Sequence, residues 1–119
     1  MKKDPQIFLF HILESIEAVE KFTPNIHTFE NFIQDQKTSF AVTRALEIIG
    51  EATKNLPKEL KQNHKEVPWK QIAGTRDRLI HEYFGVDLKL MFKIVQEELP
   101  ILKQQIKNIL KEFPNKKLI

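Results

Sequence analysis

Eight consecutive residues, Arg76-Asp77-Arg78-Leu79-Ile80-His81-Glu82-Tyr83, hold most of the chemistry this chain could perform. Arginine offers a planar, permanently charged fork that matches a phosphate. Histidine is the side chain best suited to moving a proton near neutral pH. Asp77 stands four residues before His81, the spacing of neighbours on a helix. There it could hold one imidazole nitrogen and leave the other for proton transfer. Tyr83, the sole tyrosine, follows two residues later. His11, His27 and His64 lack comparable neighbours and receive no role. No HExxH stretch or clustered His/Asp/Glu spacing suggests a metal site, and with no cysteine there is neither thiolate ligand nor thiol nucleophile. No cofactor is expected.

These residues need a scaffold, and the apolar spacing along the chain is helical nearly throughout. Asp4-Pro5 reads as an N-cap and first-turn pair. It opens a helix with Leu9, Ile12, Leu13, Ile16 and Val19 on one face, ending before Pro24. Residues 28–33 suit a short helix. Thr38 is expected to cap a strong helix with Ala41, Ala45, Ile48, Ile49, Ala52 and Leu56 on its core face. Gly50 is placed opposite that face, and such a glycine often marks close approach by another backbone. Residues 57–64 read as a polar connector with room for one helical turn. Pro68 starts a helix expected to run through the motif to Gly85, a candidate C′ residue. Asp87 caps a last long helix bearing Met91, Ile94, Leu102, Ile106, Ile109 and Phe113, which Pro100 must kink or divide. The expectation is an all-α, four- to five-helix antiparallel bundle forming one domain over residues 1–119.

On an ideal helix over residues 68–83, at about 100° per residue, Trp69, Ile72, Leu79, Ile80 and Tyr83 form one stripe with Arg76 in its middle. Arg78 and Glu82 project from the far side as a solvated pair. An arginine on an apolar stripe requires an anion or an outlet to water, from Glu51 or from a phosphate in a cleft. Arg76 and His81 are about 140° apart on that wheel. A distorted helix end or a second copy of the motif would therefore have to bring them together. Trp69 is expected in the core, and Tyr83 near the helix end with its hydroxyl exposed.

Composition sets the outer bounds. With 41% hydrophobic and 29% charged residues, the 119-residue chain can bury a core. The net charge of +3 permits an anionic partner without demanding one. No apolar run approaches the roughly 20 residues of a membrane span, and Asp4, Glu14 and Glu17 do not suit a signal peptide. A soluble, cytoplasmic protein with no membrane partner is the expectation.

At these residues the sequence resembles the HepT-like branch of the HEPN family. Arg76, four residues, His81, one residue, Tyr83 is similar to that family's signature, with Asp77 as the polar residue after the arginine. The segments ALEIIGEA (45–52), VPWKQIAGTRD (67–77), HEYFGVD (81–87) and IVQEELPILKQQI (94–106) extend the likeness over nearly the whole chain. The resemblance implies an all-helical homodimer whose motif helices line a shared cleft. It also implies a metal-independent ribonuclease, the toxin of a toxin–antitoxin pair, with a minimal nucleotidyltransferase as antitoxin. In that reading His81 is the general acid or base for attack by a ribose 2′-hydroxyl, and Arg76 binds the scissile phosphate. Asp77 would orient His81, while Tyr83 would position RNA and receive AMP from the partner. The alternatives are a non-catalytic nucleotide- or RNA-binding regulatory module and, further off, a purely structural interaction protein.

Overall fold

The computed structural model describes residues 4–81 and 85–113, with His81 represented by its backbone alone. Asp4 opens the first helix, α1 (Pro5–Phe22): its carboxylate accepts from the Gln6 amide at 2.9 Å, and proline sits in the first turn, where no amide is needed. Leu9, Ile12, Ile16 and Val19 form its buried stripe. Thr28 caps α2 (Phe29–Gln34), whose Phe32 is fully buried and tilts against Phe92.

The central helix is α3 (Gln36–Lys54), which packs against α1, α2 and the two short helices α5 and α6 described below. Its cap is Asp35, not Thr38. The Asp35 carboxylate accepts from the Thr38 amide at 3.0 Å and from its hydroxyl at 2.6 Å. Thr38 is therefore the third helical residue, and the charged side chain preceding it satisfies the free amide. Because α3 is covered on more than one side, Gly50 is buried and does not lie opposite the core. A Cβ at Gly50 would sit 3.4 Å from the carbonyl oxygens of Ile72 and Ala73, so the expected close backbone approach is present.

The connector after Pro57 forms α4 (Lys58–Asn63). Next come α5 (Trp69–Ala73) and α6 (Thr75–Leu79), separated at Gly74. Trp69 is buried, and its indole N–H donates to the His64 carbonyl at 2.9 Å. The chain then leaves the helical path for a two-stranded antiparallel pairing, β1 (Ile80–His81) with β2 (Gly85–Val86), in register Ile80 with Val86 and His81 with Gly85. Gly85 has φ +74°, a left-handed conformation natural to glycine, but it serves this hairpin and not a helix C-terminus.

Asp87 caps α7 (Leu88–Lys93), accepting from the Leu90 amide at 2.9 Å. A π-helical turn, Ile94–Glu98, leads without a break into α8 (Leu99–Leu110). Pro100 accounts for that turn. Its ring would press on the carbonyl four residues back and it donates no hydrogen bond. A wider turn, with the Leu99 amide bonding to the Ile94 carbonyl, accommodates both defects while the helix continues. The buried side chains of α1, α3 and α8 with Phe32, Trp69, Ile72, Leu79 and Met91 form one core. The architecture is all-α, as the helical periodicity implied. No helix among the described residues is long and apolar enough to cross a membrane.

The approach at Gly50 defines a size limit. Gly50→Ala is expected to melt near the wild-type temperature, since its methyl only reaches contact distance and alanine favours the helix. Gly50→Leu should cost about 1–3 kcal/mol by overpacking α3 against α5. Circular-dichroism melts check this, and an unchanged midpoint for Gly50→Leu would contradict the close approach.

Candidate functional site

The motif does not lie on one continuous helix. Gly74 interrupts it: its amide bonds to the Lys70 carbonyl at 3.0 Å, closing α5, and its own carbonyl accepts from the Arg78 amide at 3.0 Å, opening α6. The buried Thr75 hydroxyl donates to the Ile72 carbonyl at 2.7 Å across the joint. The break resets the angular phase, so the wheel drawn through residues 68–83 misassigns both arginines. Arg76 does not sit in the apolar stripe; its side chain is 69% exposed.

Arg78, expected on the solvated side with Glu82, is instead held by the protein. Its two terminal nitrogens donate to the two Glu98 oxygens at 3.1 and 3.0 Å, a bidentate pair with both side chains largely covered. Gln71 donates to the same carboxylate at 3.2 Å. Glu98 thus ties α5 and α6 to the π-helical turn. The hydrogen bond from Arg78 holds the Glu98 carboxyl below its ordinary value of 4.5, with burial opposing that shift.

Arg76 points elsewhere. Its Nε is 3.7 Å from Glu47 Oε2, and Glu51, the partner the sequence suggested, is not the one it meets. The other oxygen of Glu47 lies 3.8 Å from Arg44 Nη1. These residues line a cleft of about 420 Å³ bounded by α1, α3 and the α5–α6 joint. Phe8 and His11 from α1, and Glu51, Lys54 and Asn55 from α3, complete much of its wall. Sequence reasoning assigned His11 no role and did not single out Glu47. The signal available was the 3-4-3 spacing of Arg44, Glu47, Glu51 and Lys54 along one edge of α3.

Asp77 is exposed and forms no hydrogen bond or ion pair among the described residues. α6 ends at Leu79, whose carbonyl accepts from the Asp87 amide at 2.6 Å, and Ile80 is already extended. The expected helix to Gly85 is therefore replaced by the hairpin, and the 140° separation of Arg76 from His81 does not apply. The helix end is distorted, which is one of the two alternatives the wheel left open for Arg76 and His81. The His81 side chain, Glu82 and Tyr83 lie outside the described residues. Among the described residues no group of three or more His, Asp or Glu side chains is placed to hold a metal ion.

The sequence pattern of a family described as "Ribonuclease HepT-like" matches residues 12–109. A "Probable ribonuclease HepT" from Thermococcus cleftensis is 50% identical over 93% of this chain and 100% of its own length. A protein of Caldanaerobacter subterraneus subsp. tengcongensis named as a candidate RNase is 47% identical, covering 92% of this chain and 97% of its own. A third, from Methanocaldococcus jannaschii and also named as a candidate RNase, is 39% identical over 97% and 94%. No solved structure matches.

The Arg78–Glu98 pair makes a pH-dependent prediction. A carboxyl with a lowered folded-state pKa contributes stability above its unfolded value and loses it as pH falls through the folded one. Glu98→Gln should therefore destabilise at neutral pH by about 1–2 kcal/mol. The gap from wild type should shrink progressively below pH 4.5. Denaturant melts across pH check this, and a gap that widens in acid would contradict it.

Proposed function

The chain belongs to the HepT-like ribonuclease family, and on that premise we propose that it is a metal-independent RNA endonuclease acting through Arg76 and His81, the toxin of a type II toxin–antitoxin pair. The observation that carries the site assignment is the unequal treatment of two neighbouring arginines. Arg78 has its fork filled by Glu98, whereas among the described residues Arg76 has a single carboxylate contact, at 3.7 Å, and lines a cleft. A guanidinium so loosely held is available to an incoming phosphate.

In the proposed mechanism a ribose 2′-hydroxyl attacks the adjacent phosphorus. One proton leaves the 2′-oxygen and another reaches the departing 5′-oxygen, giving a 2′,3′-cyclic phosphate and a 5′-hydroxyl. His81 handles proton transfer, and Arg76 neutralises the extra charge on the phosphorane-like transition state. Asp77 is the orienting partner of His81; its exposed carboxylate, free among the described residues, is compatible with that role. Tyr83 positions RNA. Because His81 lies on an extended strand next to the C-terminus of α6, it is no longer bound to the helical phase that would aim it away from Arg76. A second copy of the chain completes the cleft as a homodimer, and a minimal nucleotidyltransferase is the antitoxin. Transfer of AMP to the Tyr83 hydroxyl would silence the site by adding bulk and negative charge where RNA phosphates must enter.

Purified wild-type protein should cleave single-stranded RNA in the presence of a chelator and leave cyclic-phosphate ends. Arg76→Ala and His81→Ala should each lower kcat/KM by about 100-fold or more. Growth arrest on expression should be relieved by either substitution. Equal cleavage by wild type and His81→Ala would sink the mechanism. RNA binding without cleavage by the wild type would instead favour a regulatory binding module.

A further inference from the structure

The same cleft contains an arrangement that one catalytic arginine does not explain. The chain has sixteen lysines but only three arginines, Arg44, Arg76 and Arg78. One is consumed by Glu98. The other two come from different helices, α3 and α6, and converge on opposite oxygens of Glu47 at the mouth of one cleft. Lysine would serve equally well on a merely solvated face, whereas arginine's fork is favoured where a phosphate is gripped.

We propose that Arg44 forms a second phosphate subsite, holding the phosphate next to the one at Arg76 along the same RNA strand, with Glu47 standing between the two guanidiniums as a carboxylate that the phosphates displace. This inference rests on the ribonuclease reading and extends it to how the strand lies in the cleft. Three physical points support it. First, the two Arg–Glu47 contacts, at 3.8 and 3.7 Å, are too long to be hydrogen bonds, so neither guanidinium has its donors satisfied by the carboxylate. Second, the arginine side chains are 73% and 69% exposed, and ion pairs in that environment are weak enough for a phosphate to displace. Third, the cleft carries three cations, Arg44, Lys54 and Arg76, against two carboxylates, Glu47 and Glu51, and so favours an anion.

The spacing suits a polymer. Each guanidinium lies within 4 Å of one oxygen of the same carboxylate, so the two stand close together at the cleft. A mononucleotide would engage one arginine, whereas an RNA backbone would engage both. Glu47 competes with the phosphates for both arginines. The plainer role for Arg44, an intrahelical partner that stabilises α3 through Glu47, predicts a different pattern of effects.

The test is binding of a short, fluorescein-labelled, fully 2′-O-methylated RNA, which has no 2′-hydroxyl to attack, measured by anisotropy over a range of salt. Arg44→Ala should weaken binding about tenfold and lower the salt slope by about 0.7. Lys107→Ala, which removes a charge outside this cleft, should change neither. Arg44→Lys keeps the charge and the Glu47 partner but loses the fork, and should fall in between. Glu47→Gln should tighten binding, a change that loss of a structural contact would not produce. With an unmodified RNA, Arg44→Ala should raise KM far more than it lowers kcat. If wild type cleaves and Arg76→Ala does not, but Arg44→Ala binds RNA as wild type does, the subsite is refuted and the ribonuclease reading stands. Weakened binding by Glu47→Gln would also refute it. Failure of the wild type to bind or cleave RNA would remove both.

Discussion

The bidentate grip of Glu98 on Arg78 decides what the rest of the motif can do. Residues two apart on a helix point about 200° away from each other. Once Arg78 is fixed to the π-helical turn, Arg76 is turned toward α3 and the cleft. Gln71 adds a third donor to the same carboxylate, so a single side chain sets both short helices against the C-terminal rod. The pair is largely covered and well aligned, conditions under which a charge-assisted hydrogen bond contributes more than an exposed ion pair. Two arginines two residues apart thus divide the work: one holds the segment, and the other stays available.

That division depends on packing further away. The carbonyls of Ile72 and Ala73 come close to α3 because position 50 carries no bulky side chain, and the α5–α6 joint lies along the edge where Glu47 stands. Gly74 and Thr75 then separate α5 from α6. Pro100 forces a wide turn just ahead of it, and Glu98 is the last residue of that turn. Three residues that appear to be defects in ideal helices, Gly50, Gly74 and Pro100, therefore place the carboxylate, the joint and the cleft wall. Local departures of this kind commonly accompany functional sites.

Much of this architecture was legible in the residues. Asp4-Pro5, Thr28 and Asp87 mark helix starts through hydrogen bonds that only their side chains could make. The stripe Leu9, Ile12, Ile16, Val19 is buried as its spacing required. At these positions local chemistry determines the outcome, and the sequence is sufficient. It was insufficient where one residue changes the phase of all that follow. A glycine at position 74 fits a continuous helix or a broken one, so its residue type alone does not mark the break. Leu79 is buried as the wheel placed it, but Arg76 and Arg78 exchange the surroundings assigned to them. Asp35 was passed over for Thr38 because both residue types cap helices and only the start of the core stripe separates them. The cleft wall was hardest to see, since His11 and Arg44 meet Arg76 only in three dimensions. The resemblance to HepT-like proteins singles out Arg76 as the proposed site residue, and the structure places its exposed guanidinium at the cleft.

The central claim is that Glu98, through Arg78, aims Arg76 at RNA. A double-mutant cycle tests it most directly, with the dissociation constant of a 2′-O-methylated RNA measured well below the melting temperature of every variant. Glu98→Gln should weaken binding in the otherwise wild-type protein and add nothing further when combined with Arg76→Ala, because the residue it aims is already gone. Equal losses in the two backgrounds would mean that Glu98 and Arg76 act independently, and the account of the site would be wrong.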